Sequence, residues 1–468
     1  MLPVTAIFDI GRTNKKFFLF DEDLREVHRE YVSFPMIEDE DGFPTEDISA
    51  LTTWLQEVFY RILEAETFDV QAINFSSYGA SFVHLNADGD VLTPLYNYNK
   101  PLPQDLVEGF YDRFGPESDF TTHTGSNNAG MLNSGMQLYW LKNRKPEIFA
   151  QIRYSLHLPQ FLSYVFTGIP ISEYTSIGCH TALWDYRKKD YHDWVYEEEL
   201  HRILPPIVST ETSINMNFSG KRIKIGVGVH DSSAALLPYI RSQGKPFILV
   251  STGTWSVSLN PFAEGALSIE DQRANCINYM RIDGNPVKAA RLFLGEEYKI
   301  QTQRLADHFG VEVSEHKKVK FNIATYQHIL EDFRPWFHLE AIITEGPEQT
   351  VIPPGTSYEY AYHHLLEELV RLQADNIRAA SGKQALKKIF VDGGFSDNDV
   401  YINLLTHHFR EFKIRTTNSS LGSALGAAIC ISDKQLNAQF LKKNYGLKKH
   451  RPFILSLEPA TTDSEQAS

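Results

Sequence analysis

Two stretches half a chain apart share one design: an apolar strand, a tight turn carrying a glycine and polar donors, then a second strand. The first is Ala6-Ile7-Phe8-Asp9-Ile10-Gly11-Arg12-Thr13-Asn14-Lys15-Lys16-Phe17-Phe18-Leu19-Phe20. The second is Phe247-Ile248-Leu249-Val250-Ser251-Thr252-Gly253-Thr254-Trp255-Ser256-Val257-Ser258-Leu259. A repeat of that length is too long for a solenoid unit and predicts two like-built domains facing one another. With 468 residues, 42% of them apolar, the chain is long enough to give each domain its own core.

The first turn combines a carboxylate, Asp9, at a strand end with hydroxyl, amide and cationic groups at its tip. Thr and Asn side chains and free backbone N–H groups donate to phosphate oxygens, a Lys or Arg offsets their charge, and the carboxylate holds a hydrated Mg²⁺. The alternative is an ordinary turn with its charges in solvent. Two such tips facing across a cleft could clamp a polyphosphate from both sides.

Lys plus Arg number 45 against 59 Asp plus Glu, a net charge of −14, which argues against nucleic acid or an anionic membrane as the main partner. Cys179, Cys276 and Cys430 are far apart and in no metal-ligand spacing, which predicts buried, reduced thiols. The start lacks a signal-peptide pattern and no stretch has the length of a membrane span, so the expected location is cytoplasmic.

Strand and helix patterns alternate. Glu26 to Phe34 reads as a strand, Ile48 to Leu63 as a helix, and Val70 to Phe75 as a strand ending in Ser76-Ser77-Tyr78-Gly79-Ala80-Ser81. That order predicts an α/β fold with ligands at the carboxyl ends of strands. Phe82 to Leu92 reads as a hairpin turning at Asp88-Gly89, 104 to 168 as mainly helical, and Val195 to Leu204 as a helix. The polar, basic stretch from Ile214 to Ile225 reads as a crossing between domains.

A helix is expected to begin near Asp231, which serves either as its N-cap or as a carboxylate at the cleft floor, beside His230, taking a proton from a hydroxyl nucleophile. Val287 to His308 is expected as a helix with Arg291 near its start, and Tyr358 to Ala380 as a long amphipathic helix. Asp392-Gly393-Gly394-Phe395 follows a buried strand, and its glycines allow either a tight turn or close approach to a ring or phosphate. Leu421 to Ala428 opens a helix of small residues suited to close packing, and Pro459 to Ser468 looks disordered.

Asp9 to Lys16, the glycine-rich run into Asp231, Thr252-Gly253-Thr254 and Asp392 to Phe395 fall in an order and spacing that resemble the FGGY carbohydrate kinases, of the actin/hexokinase/Hsp70-like ATPase superfamily. The resemblance covers about residues 4 to 432, and no Walker A pattern occurs. It implies an α/β fold of two ribonuclease-H-like domains facing a central cleft. These would be an N-terminal domain over 1–222 and a C-terminal domain over 223–432, with a helix and tail over 433–468.

The likeness also implies ATP and Mg²⁺, with a small sugar as partner and a monomer or homodimer as assembly. Carried over by position, Asp9 would hold Mg²⁺ through water. Gly11, Arg12, Thr13, Asn14 and Lys16 would meet phosphates, as would Thr252, Gly253 and Thr254 from the other side. Asp231 would be the base, and Gly393, Gly394 and Asn398 would line the adenosine site.

Within the family, His230-Asp231, Ser251 to Ser256 and Leu156-His157-Leu158-Pro159 are most similar to the L-rhamnulose and L-fuculose kinases. That implies transfer to a hydroxyl of a 6-deoxyketohexose, with Ser77, Tyr78, Gly79 and His230 at the sugar. Tyr98 and Lys100 stand where these kinases often carry Asp and Arg, and Ser81 where rhamnulose kinases tend to have Asp. A kinase for another ketose such as xylulose, or a catalytically silent sugar- and nucleotide-binding regulator of the same fold, are the alternatives.

Overall fold

The computed structural model describes residues 1–12, 14–342, 346–384, 386–418 and 421–454. The expected disorder over 459–468 falls outside them. Two seven-stranded sheets organise the chain. The first contains β1 (Leu2–Ile10), β2 (Lys15–Asp21), β3 (Glu26–Val32), β4 (Phe68–Ser77), β5 (Ser213–Phe218), β6 (Lys221–Gly226) and the short β7 (Val229–His230). Its order is β5-β6-β4-β1-β2-β3, with β7 alongside β4.

The second contains β8 (Ile248–Thr252), β9 (Ser256–Asn260), β10 (Cys276–Met280), β11 (Pro286–Leu292), β12 (Lys388–Gly393), β13 (Lys413–Thr416) and β14 (Lys448–Lys449), in the order β10-β11-β9-β8-β12-β13-β14. Each sheet puts an antiparallel hairpin, β1–β2 or β8–β9, beside a parallel strand, β4 or β12. The repeat seen in the sequence is thus a repeat of topology.

Strand alternation sorts packing from chemistry. In β1, Val4, Ala6, Phe8 and Ile10 pack into the core beneath the helix Ile48–Glu64, whereas Ile7 joins a second core shared with the helices Asp231–Ser242 and Gly422–Cys430. Asp9, two residues on from Ile7, therefore lies on the face turned toward those helices. In β8, Ile248 and Val250 pack outward while Leu249 joins the shared core, which puts Ser251 on the inner face. In β12, Phe390 is inner and Val391 outer, so Asp392 is inner.

The helices Asp231–Ser242 and Gly422–Cys430 pack backbone to backbone between the sheets. A Cβ on Gly426 would lie 1.9 Å from the Ala234 carbonyl oxygen. Asn74 of β4 fastens the pair, donating to the Ala427 carbonyl at 2.9 Å and accepting from the Gly228 amide at 3.1 Å. The small residues from Leu421 onward serve the close packing expected of them.

Four expectations change. Ile214 to Ile225 is no crossing: Ser213–Phe218 and Lys221–Gly226 form an antiparallel hairpin, and β6 runs parallel to β4 in the first sheet. Ser219 and Gly220, with φ of 50° and 82°, make its two-residue turn. The expected division after 222 therefore cuts a strand of the first sheet. Val287 to His308 is a strand and then a helix, Pro286–Leu292 and Leu294–Phe309, because β9 and β10 flank β11 on both edges.

The expected helix Val195 to Leu204 is two short pieces, Asp193–Glu197 and Leu200–Arg202, interrupted where Glu199 takes a left-handed φ of 57°. Phe82–Leu85 pairs mainly with Tyr154–His157, and the Asp88-Gly89 turn adds a single bridge, Leu85 to Val91. The elements from 82 to 207 carry their own core and touch the second sheet through Gly125, whose carbonyl accepts from the Asn278 amide at 2.9 Å. Among the described residues no helix is long and apolar enough to cross a membrane.

Candidate active site

Asp9 and Asp231 are near enough to feel each other's charge between the two hairpins. Asp9 is buried, its carboxyl is pushed above the usual range by burial first, and neighbouring Asp231 adds to the rise. Lys16, its register partner on β2, opposes this from 3.6 Å, as do the hydroxyls of Ser423 and Ser76. The Ser76 hydroxyl is buried with no other partner among the described residues. The Asp9 carboxylate with the Ser76 and Ser423 hydroxyls beside it is an all-oxygen set, which fits a hard divalent cation.

Folded Asp9 keeps its proton to higher pH than it does unfolded. Between those two values the folded chain binds more protons, so stability falls as pH rises through the window and stays lower above it. Asp9→Asn is expected to remove that fall, which extends above the usual carboxylate range, in metal-free buffer while turnover is lost. Denaturant midpoints across that window check it; an unchanged slope would contradict the burial argument.

Asp231 is not the cap of its helix. His230 occupies the N-cap position, and Asp231, at N1, accepts from the neighbouring Ser232 hydroxyl at 3.2 Å. With its side chain 35% exposed, it faces a cavity of about 310 Å³ lined also by Ser251, Tyr279, Asp392, Gly393 and Ser423. His230 is fixed beside it. Its amide donates to Thr175 Oγ1 at 2.9 Å, and its ring lies so close to Gly79 that a Cβ there would come within 2.5 Å of Cδ2.

The first tip closes on Gly11, whose amide donates to the Asn14 carbonyl at 3.1 Å, with Asn14 exposed. Arg12 turns away from the Asp9–Lys16 pair: its guanidinium lies 4.9 Å over the Tyr98 ring and donates to the Tyr98 hydroxyl at 3.2 Å. Thr13 lies outside the described residues. Tyr78 stands edge-on to Tyr98 at 5.8 Å, and Ser77 is buried with its hydroxyl on the Tyr78 carbonyl. Lys100 is buried between Asp39 and Asp41 at 2.6 and 2.5 Å, and the Ser81 hydroxyl donates to the Tyr96 carbonyl.

At the second tip, alternation turns Thr252 away from the cleft. Its hydroxyl donates to the Asp392 carbonyl at 2.6 Å and accepts from the Phe395 amide at 3.0 Å, tying β8 to the double-glycine turn. Gly253 and Thr254 are exposed, and the Thr254 carbonyl accepts from the Gly295 and Glu296 amides. Gly393, at φ 91°, approaches Thr252 so closely that a Cβ would lie 1.9 Å from its carbonyl oxygen.

Beyond this tip opens a cavity of about 570 Å³ lined by Thr254, Gly295, Tyr298, His316, Gly394 and Asn398 among others, a size suited to a nucleoside. Asn398 caps the helix Asp399–His408 through the Tyr401 amide and donates to the Tyr362 hydroxyl at 2.9 Å.

Three inner-face residues escaped sequence reasoning. Arg291 shares the face of Val287 and Ala289, sits over Trp255 at 5.9 Å, and keeps a buried Nε without a partner among the described residues. Alternation in β11 was its available signal. Ser423 and Gly295 show no pattern apart from the partners that the fold brings to them.

Comparison with known proteins agrees with this architecture. The model of the FGGY family of carbohydrate kinases, N-terminal domain, matches residues 4–237, and that of the carbohydrate kinase FGGY, C-terminal domain, matches 244–439. A rhamnulokinase from Oceanobacillus iheyensis is 23% identical over 218 residues, 43% of this chain and 44% of that protein. One from Bacteroides thetaiotaomicron is 24% identical over 229 residues, 46% of each. The match thus spans about half the length of these curated relatives.

A carbohydrate kinase from Novosphingobium aromaticivorans superposes with a TM-score of 0.80 at 23% identity, covering 97% of this chain and 95% of that one. A xylulose kinase from Rhodospirillum rubrum gives 0.78 at 16% identity, covering 96% and 94%. Both show the α/β, two-domain fold. With both family models matched end to end along it, this chain belongs to the FGGY family of carbohydrate kinases.

Proposed function

We propose that the chain transfers the γ-phosphoryl group of ATP to a hydroxyl of a ketose, with a 6-deoxyketohexose such as L-rhamnulose or L-fuculose as acceptor. The observation that carries this reading is Asp231: a carboxylate free of capping duty, open to the cavity and within electrostatic reach of Asp9. The sugar oxygen forms a bond to the γ-phosphorus, the bond to the β–γ bridging oxygen breaks, and the hydroxyl proton passes to the Asp231 carboxylate.

Asp9, with Ser76 and Ser423 beside it, would hold Mg²⁺ through water, and the ion when bound neutralises charge on the phosphate oxygens. Lys16 adds a cation on the same face, and the exposed tip at Gly253 and Thr254 offers donors from the second sheet. The glycines at 295, 393 and 394 let backbone approach the nucleotide, and Tyr298 and His316 give its base flat walls. His230, pressed on Gly79, orients the sugar next to Asp231. The N-terminal unit of this reading extends through His230, since β7 still pairs with β4.

The named rhamnulokinases among the relatives support a 6-deoxyketohexose, and the named xylulose kinase keeps a ketopentose as the reading to be separated. A panel of ketohexoses, 6-deoxyketohexoses and ketopentoses coupled to ADP release tests both. The expected result is the highest kcat/KM on a 6-deoxyketohexose. Preference for xylulose would replace the acceptor, and ATP consumption indifferent to every sugar would overturn the kinase reading.

A further inference from the structure

A buried cluster of metal-ligand type stands beside Asp231. Cys179, His180 and His230 each offer one ligand atom, and all three atoms lie within 4.8 Å of one another. His230 Nε2 is 3.3 Å from Cys179 Sγ and 3.6 Å from Asp231 Oδ1. Zinc bonds of about 2.3 Å to sulfur and about 2.0–2.1 Å to nitrogen and oxygen place tetrahedral ligand atoms about 3.3–3.6 Å apart. The sulfur–imidazole separation falls in that range.

Backbone and outer partners hold the set in place. His180 takes a left-handed φ of 41°, which lets two consecutive side chains turn into one site. Its Nδ1 reaches the Leu132 carbonyl at 3.2 Å, the outer hydrogen bond that orients a ligating Nε2. The His230 ring, pinned by Gly79, keeps its other nitrogen buried without a partner among the described residues.

We propose that Cys179, His180 and His230 form a three-ligand site, with a water completing the shell, for a borderline-soft divalent cation of the Zn²⁺ class, and that filling it silences the enzyme by setting a dication beside the Asp231 carboxylate. The inhibitory half rests on Asp231 being the base; the binding half does not. Selectivity follows from the sulfur and imidazole donors, which favour Zn²⁺ over the oxygen-seeking Mg²⁺ expected at Asp9.

The test titrates the full-length, metal-free protein with Co²⁺ alone and reads the thiolate charge-transfer band, then displaces it with Zn²⁺. One equivalent is expected to saturate the band. Cys179→Ser should abolish it and Cys430→Ser should keep it. His180→Gln, a second variant, should weaken the titration at least about tenfold, and the Zn²⁺ concentration that halves turnover should rise by at least about tenfold in both site variants, each measured against itself without metal.

Circular dichroism confirms that the variants fold. No band in the parent chain, or a band that survives Cys179→Ser, overturns the site. Zn²⁺ inhibition equal in the parent and in both site variants overturns the inhibitory half. The band is read without turnover, so a chain inactive on every sugar still tests the site.

Discussion

Replacing Asp231 with Asn is expected to lower kcat by about 10²–10⁴-fold while ATP affinity is unchanged. The amide has the same shape and keeps the contact with Ser232, and the helix does not depend on the carboxylate because His230 holds the N-cap position. What is lost is the capacity to take a proton from the sugar hydroxyl as the oxygen–phosphorus bond forms. Steady-state ADP release on the preferred sugar, with nucleotide affinity measured by calorimetry, separates the two effects. Near-parental turnover in Asp231→Asn would remove this residue from the role of base, and joint loss of turnover and nucleotide binding would point to a structural role.

The second large effect is expected from Gly426→Val. Its first side-chain carbon would sit 1.9 Å from the Ala234 carbonyl oxygen and 2.4 Å from the carbonyl carbon. Both are backbone atoms of the helix that begins at Asp231, so neither yields without moving that helix. Overpacking of this kind costs about 1–3 kcal/mol, and more where backbone must shift. The denaturant midpoint is expected to fall and turnover to fall with it, because Asp231 moves with its helix. Gly109→Ala is the control: among the described residues no atom beyond its own helix turn and chain neighbours lies within 4 Å of its Cβ, and it is expected to stabilise the helix Gln104–Phe114 by about 0.5–1 kcal/mol. Equal midpoints for Gly426→Val and the parent would refute the close packing.

The two hairpins, the helix at Asp231 and the turn at Gly393 were legible because each is local: an apolar run, a turn residue at a fixed place, a polar group at the strand end. The face on which each residue lies was legible only in part. Thr252 looks like a phosphate donor in a string of hydroxyls, yet alternation turns it outward and its neighbour Ser251 inward. Arg291 falls in the stretch Val287 to His308 that reads as helix, and only pairing with β9 and β10 makes its part of it a strand. The partners of Asp9 at Ser76 and Ser423, and the meeting of Cys179 with His230, arise from contacts between residues far apart in the chain, which no window of sequence contains.

In β1, β8 and β12, one set of alternate side chains fills the outer cores and the other faces the cleft. Conservative changes in the first set alter stability and leave the reaction alone, while changes in the second retune chemistry at little cost to folding. Lineages of such a chain are thus free to drift in core composition and in substrate as two nearly independent characters. Insertion or deletion of one residue inside any of these strands is the change they do not survive. It exchanges the two sets at a stroke, carrying Asp9 into the oil and a phenylalanine into the cleft.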